Sequence, residues 1–245
     1  MEIMLKGGIG NQLFQYAYAL SQSKKLNTEL KINTYILDVN PYKYTPYNNE
    51  LIHFTGVTEE MVSYNVPVLN VVSEEAGGEI KSDSVLDGYY QGEQFFENIK
   101  GELRQKLKFK LPEMTLDDVV SIHARRGDYL NGDFFVDLSA TDYYKKAVEY
   151  IKTKVKNPKF HIFSNDENWA KEYFSFVEGA CIESPRDTID DLYFMSICQY
   201  NITANSTYSW WAAWLNNNPN KIVIQPKNWY SKAPNTLLFK DSIVL

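Results

Sequence analysis

The run Val119-Val120-Ser121-Ile122-His123-Ala124 is apolar and β-branched, and it stops abruptly at Arg125-Arg126-Gly127-Asp128. Such a run reads as a buried strand, and in an open α/β sheet the carboxyl end of a strand faces the ligand crevice. Two guanidinium groups at that point can neutralise a multiply charged anion and grip its oxygens in bidentate fashion. Side chains alternate along a strand, so His123 and Arg125 share one face while Arg126 takes the other. Arg125 is therefore the expected anion clamp, and Arg126 a partly structural residue that pairs with Asp128. Gly127 permits the sharp exit turn. The competing reading is an exposed turn whose arginines pair with acids. The buried strand in front argues against Arg126-Gly127-Asp128 as an adhesion tripeptide.

Two further strand ends in the second half carry polar groups. Ser164-Asn165-Asp166 follows Phe160 to Phe163, and Asn205-Ser206-Thr207 follows Ile202 to Ala204. In a parallel sheet these ends lie on the same edge as His123 and Arg125. Arg125 and the helix start at Ser206-Thr207 could hold phosphates, with Asp166 accepting hydrogen bonds from a ribose or base. Together they fit a nucleoside diphosphate; singly, each is an ordinary helix N-cap. In the first half, Gly7-Gly8-Ile9-Gly10-Asn11-Gln12 joins a strand at Glu2 to Lys6 to a helix ending near Lys25. Backbone amides there can approach an anion or a sugar, with Asn11 as the expected N-cap. The glycines match neither the dinucleotide fingerprint nor a Walker loop, so a merely tight turn competes.

Composition narrows the chemistry. A net charge of −6 over 245 residues argues against a general nucleic-acid or anionic-membrane surface. No Asp-x-Asp triplet occurs, and the three histidines, at 53, 123 and 161, lack metal-site spacing. Positive charge for a departing pyrophosphate must then come from arginine and helix dipoles. Cys181 and Cys198 have neither zinc nor redox-motif spacing and read as buried apolar residues. There is no Gly-x-Ser-x-Gly elbow, so covalent acyl chemistry is unsupported. The start lacks signal-peptide features, and no apolar run approaches the roughly 20 residues of a membrane span. The chain thus reads as cytoplasmic, with peripheral membrane contact at most, and the sequons at Asn201 and Asn205 as accidental. Tyrosine and tryptophan (18 and 5 residues) suit sugar stacking, although most are expected to be packing.

The elements that position these groups alternate. Strands are expected at Glu2 to Lys6, Leu30 to Asn33 and Val85 to Tyr90, with an amphipathic helix at Gln94 to Phe109. Residues 51 to 80 carry no clear pattern. Lys110 to Asp118, with Pro112, is the candidate domain boundary. Beyond it, helices are expected at Asp142 to Val155, Asp187 to Gln199 and Tyr208 to Asn216. Strands are expected at Phe160 to Phe163, near Ile182, at Ile202 to Ala204 and at Ile222 to Ile224. Repeated βα units imply a parallel, doubly wound sheet.

Four blocks then carry a family resemblance: Gly7 to Tyr16, Ser121 to Tyr129, Phe163 to Asp166 and Ala204 to Leu215. In order and spacing the chain resembles the bacterial α-1,2-fucosyltransferases of glycosyltransferase family 11. The resemblance implies an α/β, GT-B-like fold of two facing Rossmann-like domains. Residues 1–112 would be the acceptor side, and 113–245 the GDP-sugar-binding domain with the doubly wound parallel sheet. It implies inverting transfer of L-fucose from GDP-fucose to a hydroxyl of an oligosaccharide or lipid-linked glycan, O2 of a terminal β-galactoside being the expected position. No cofactor and no divalent metal are implied. His123, Arg125, Arg126 and Asp128 fall at the donor site, joined by Ser164, Asp166, Asp191, Asn205, Ser206 and Thr207, with Asp166 or Asp191 toward the guanosine. Gly8 and Asn11 fall on the sugar or acceptor side. Arg125 and Asp128 are the expected catalytic residues, Asp128 as base with Asp133 second; a route without a strong protein base stays open. Asn165 departs from the Asp common in related sequences, and the first domain is short. The alternatives are transfer from another GDP-sugar and a non-catalytic glycan-binding protein.

Overall fold

The structure is a computed structural model that describes residues 1–39, 47–66, 70–127, 134–184, 186–233 and 235–245. It divides into two units, Met1–Pro112 and Glu113–Leu245.

The first unit holds a five-stranded sheet built from β1 (Glu2–Met4), β2 (Lys31–Asn33), β3 (Val62–Ser63), β4 (Val71–Ser73) and β5 (Val85–Asp87). Its order is β3-β2-β1-β5-β4, and every pairing is parallel. The chain builds to one side of β1 and then returns to the other, so the order reverses between β1 and β5. Helix α1 (Ile9–Lys25) follows β1. Its apolar residues Leu13, Ala17 and Leu20 are buried, yet so are Gln12, Gln15, Tyr16 and Ser21, so most of the helix surface is covered. The remaining helices are α2 (Tyr35–Val39) and α3 (Lys100–Lys106). Where a continuous helix was expected over Gln94 to Phe109, two single 3-10 turns at Glu93–Phe95 and Glu97–Ile99 precede α3. Their apolar residues still pack inward, with Phe96 and Leu103 fully buried.

The second unit is a six-stranded sheet of β6 (Leu116–Ala124), β7 (Lys159–Ser164), β8 (Cys181–Ile182), β9 (Cys198–Ile202), β10 (Ile222–Gln225) and β11 (Ile243–Val244). All pairings are again parallel, in the order β11-β10-β9-β6-β7-β8. Helices α4 (Tyr143–Lys154), α5 (Glu167–Tyr173), α6 (Thr188–Ile197) and α7 (Thr207–Leu215) link successive strands. Right-handed crossovers put helices on opposite faces where the order reverses between β6 and β9, so the doubly wound reading holds. The buried cluster on one face joins Val120 and Ile122 of β6 to Tyr144, Val148 and Ile151 of α4 and Ala170 of α5. On α7, Trp210, Trp211 and Trp214 are each no more than 1% exposed. Trp210 donates to the Leu237 carbonyl at 2.7 Å and stacks on Phe239. These rings are core, and truncating any one to alanine costs about 3–5 kcal/mol. Their burial fixes the start of α7.

Two further expectations need correction. Cys181 lies exposed on the edge strand β8, whereas Cys198 is buried as expected; neither forms a disulfide. The strand placed at Ile202 to Ala204 instead runs Cys198–Ile202, because α6 passes into β9 without an intervening loop. Among the described residues, no helix is long and apolar enough to cross a membrane.

Candidate active site

In the second unit, β6 and β7 end level, with Ala124 opposite Ser164, while Ile202 of β9 is opposite Ile122. The carboxyl ends of the three strands therefore share one edge, and the reversal of order falls between β6 and β9. That is where an open α/β sheet forms its ligand crevice. His123, Arg125, Ser164, Asp166, Asn205, Ser206 and Thr207 follow from these three ends.

His123 is 6% exposed, and its Nδ1 is buried without a hydrogen-bond partner. Its ring lies edge-on to Tyr208, with centroids 5.4 Å apart. Burial, reinforced by the neighbouring Arg125 charge, pushes the imidazole down to about 3. His123 is thus neutral. A stability consequence follows. Between about pH 6.5, where the unfolded imidazole titrates, and pH 3, the folded state binds fewer protons. This contribution is fully present above pH 6.5 and is lost as pH falls, on the order of 1 kcal/mol per unit. The Tm measured from pH 7.5 to 5 is expected to fall more steeply for the natural chain than for His123→Gln.

Arg125 is half-buried at the strand exit. Arg126 is fixed in place: its Nη1 donates to Ser139 Oγ at 2.8 Å and lies 3.8 Å from Asp137 Oδ1. Its guanidinium sits 4.2 Å over the Trp169 ring, and its amide donates to Asn165 Oδ1 at 2.8 Å. Among the described residues the acid beside Arg126 is Asp137; Asp128, the expected partner, lies outside them, as does Asp133. Lysine cannot reproduce a planar fork that both stacks and bridges two partners. Arg126→Lys is expected to cost about 1–2 kcal/mol and to lower Tm by a few degrees in a thermal melt, with a smaller effect on turnover. Gly127 has a φ of 73°, the left-handed region the exit turn requires, and a Cβ there would meet Asn165 Nδ2 at 3.2 Å.

The other strand ends divide into anchors and candidates. Asn205 is 2% exposed and donates through Nδ2 to the carbonyls of Val136 (2.9 Å) and Trp229 (3.0 Å). Through these two bonds its amide nitrogen braces the frame. Asn201 is likewise internal, bonded to Ser121 Oγ and the Met195 carbonyl. Asp166 caps α5, accepting from the Trp169 amide at 3.0 Å, and Ser164 Oγ accepts from the Asp166 amide. Ser206 occupies the N-cap of α7, but its hydroxyl makes no capping bond and the first turn carries no acid. First-turn amides of a helix lack intrahelical partners, and the positive end of the dipole attracts an anion. Asp191, on α6, has a buried Oδ1 without a hydrogen-bond partner, 3.7 Å from Arg186 Nη1. Burial raises this carboxyl above its usual range.

In the first unit, Gly8 rather than Asn11 is the N-cap of α1, because helical backbone begins at Ile9. Gly7 has a φ of 76°, and a Cβ there would meet Asn11 Nδ2 at 2.8 Å. The Asn11 side chain instead accepts from Gln91 Nε2 at 3.0 Å, beyond the end of β5. Lys6 and Asp87, past β1 and at the end of β5, pair at 2.7 Å. Gln12 and Gln15 went unassigned in the sequence, and both are fully buried brackets. Gln12 bonds the carbonyls of Gly7 and Asn48 and accepts from the Glu50 amide; Gln15 links the Lys6 amide to the Gly88 carbonyl.

Residues 81–243 match the family described as Glycosyl transferase family 11. The chain belongs to this family. It is 31% identical to an "Alpha-1,2-colitosyltransferase" of Escherichia coli, over 93% of this chain and 91% of that one. It is 22% identical to a "Galactoside alpha-(1,2)-fucosyltransferase 1" of Rattus norvegicus, over 85% of this chain and 61% of the relative. In fold it resembles the solved NodZ alpha-1,6-fucosyltransferase soaked with GDP-fucose, with a TM-score of 0.53 at 12% identity, covering 87% of this chain and 92% of that one. The GT-B-like class of two Rossmann-like α/β units read from the sequence holds. As a family 11 member the chain is a glycosyltransferase.

Proposed function

We propose that this chain transfers L-fucose from GDP-fucose to O2 of a terminal β-galactoside, with inversion and without a divalent metal at the phosphates. The observation that carries the reading is the meeting of neutral His123, Arg125 and the α7 N-terminus where the sheet order reverses. Membership in family 11 and similarity to a named α-(1,2)-fucosyltransferase support the sugar and the linkage. The second unit is then the donor side; Gly8 and Asn11 on the first serve the sugar or acceptor. Asp191 and Asp166 are the candidates for guanosine.

The acceptor oxygen attacks the anomeric carbon as the bond to the β-phosphate oxygen breaks, through an oxocarbenium-like state. Charge developing on the departing GDP is met by Arg125 and by the amides at Thr207 and beyond. The acceptor proton passes to a carboxylate, Asp128 first and Asp133 second. Transfer of colitose is the second reading, favoured by the 31% identical relative. The test is incubation with GDP-fucose, GDP-colitose or GDP-mannose and a panel of β-galactosides, with and without EDTA, read by mass spectrometry. An EDTA-resistant fucosylated galactoside is expected; product from GDP-colitose alone transfers the assignment to the second reading, and loss with EDTA removes metal independence.

A further inference from the structure

The transfer chemistry makes no use of three donor side chains that the edge of the second sheet brings together. His161 and Cys181 are register partners in the parallel strands β7 and β8, so their side chains stand on one face. Glu183, two residues beyond Cys181, returns to that face, and its amide extends the ladder by donating to the Ile162 carbonyl at 2.9 Å. Backbone pairing thus gathers an imidazole nitrogen, a thiol sulfur and a carboxylate oxygen, all within 4.8 Å of one another. His161 Nδ1 lies 2.6 Å from Glu183 Oε1, and the Cys181 sulfur stands beside both, within 4.8 Å.

We propose that His161, Cys181 and Glu183 form a site for one divalent cation of borderline softness, with zinc the best match. Nitrogen, sulfur and oxygen donors together favour zinc over magnesium or calcium. Tetrahedral bonds of about 2.0–2.3 Å set ligand atoms roughly 3.3–3.8 Å apart. The cluster therefore closes on the sulfur side and opens slightly between His161 and Glu183. A thiolate and a carboxylate also balance the charge of the ion. Cys181 is exposed on an edge strand, which supplies an entry path and leaves the fourth position to water.

The group that opposes a cation is Arg186, whose Nη2 holds Glu183 Oε2. Its Nη1 already lies 3.7 Å from Asp191, whose buried Oδ1 accepts no hydrogen bond. When the ion takes Glu183, Arg186 has that acceptor waiting, and no charge is left stranded. Phe194 steadies both partners: its ring lies 5.0 Å from the Arg186 guanidinium and 5.3 Å from the His161 ring.

The experiment is titration of the chelator-treated full chain with Co2+, followed by absorption. A thiolate-to-cobalt band in the near ultraviolet and tetrahedral visible bands are expected at one ion per chain, and one equivalent of Zn2+ should erase them. Cys181→Ser should abolish the sulfur band and His161→Ala should weaken affinity at least tenfold, both with unchanged far-ultraviolet circular dichroism. Cys198→Ser should leave the band intact. The natural chain decides the matter even if a variant misfolds: no sulfur band at one equivalent overturns the site. A band that survives Cys181→Ser and vanishes in Cys198→Ser overturns it as well.

Discussion

Arg125→Ala is expected to keep the fold and to lose transfer by about 10³-fold, the upper end for removing one preorganised donor from developing charge. The residue follows the last position of β6 and is only half-buried, so truncation opens no core cavity. With no carboxylate-held metal proposed at the phosphates, a guanidinium beside a helix terminus carries most of the compensation for a departing diphosphate. The loss should fall in kcat more than in KM, because charge on the leaving oxygen grows toward the transition state. Arg125→Lys keeps the charge without the fork and should recover part of the rate. GDP release from GDP-fucose, measured beside a thermal melt, checks both halves. Turnover like that of the natural chain removes the clamp assignment; a Tm collapse reassigns Arg125 to the frame.

The contrast with Arg126 shows what the sequence made legible and what it did not. Alternation along β6 assigned the two arginines to opposite faces, and the structure gives the second one Ser139, Asp137 and Trp169 as partners. Those partners come from later segments, which no local pattern could link to position 126. The long strands β6 and β7 carried enough apolar period to be read. Strands β3 and β11, two residues each, did not; β8, equally short, was expected only as a strand near Ile182. Cys198 fits the inward stripe of α6 and also opens β9, so the boundary between them slipped by several residues. The exposure of Cys181 follows from the edge position of β8, a property of sheet order rather than of local sequence. Gln12 and Gln15 left one trace: polar residues beside the apolar stripe of a helix that is buried nearly all round.

Asn205→Asp is expected to cost about 3–5 kcal/mol, the largest stability loss of any isosteric change at the donor edge. The substitution swaps an amide that donates to two carbonyls for a carboxylate oxygen facing both of them, at a position 2% exposed. The Val136 carbonyl loses its Asn205 donor, the Trp229 carbonyl keeps only the long bond from the Val136 amide, and a charge is desolvated beside them. The carbonyls belong to Val136 and Trp229, which are themselves joined by an amide-to-carbonyl bond of 3.3 Å next to the Phe135–Tyr230 bridge. Asn205 therefore ties that pair of segments to the start of α7, where the diphosphate is proposed to sit. At roughly 2–4 °C per kcal/mol for a chain of this size, Tm should fall by about 10 °C. Transfer assayed well below the new Tm should be reduced far less than in Arg125→Ala. The family resemblance places Asn205 with Ser206 and Thr207 around the diphosphate, and the same variant separates that role from bracing. An unmoved Tm with a raised KM for the GDP-sugar would show the amide meeting phosphate. A lowered Tm with near-natural KM shows that it holds the helix terminus which does.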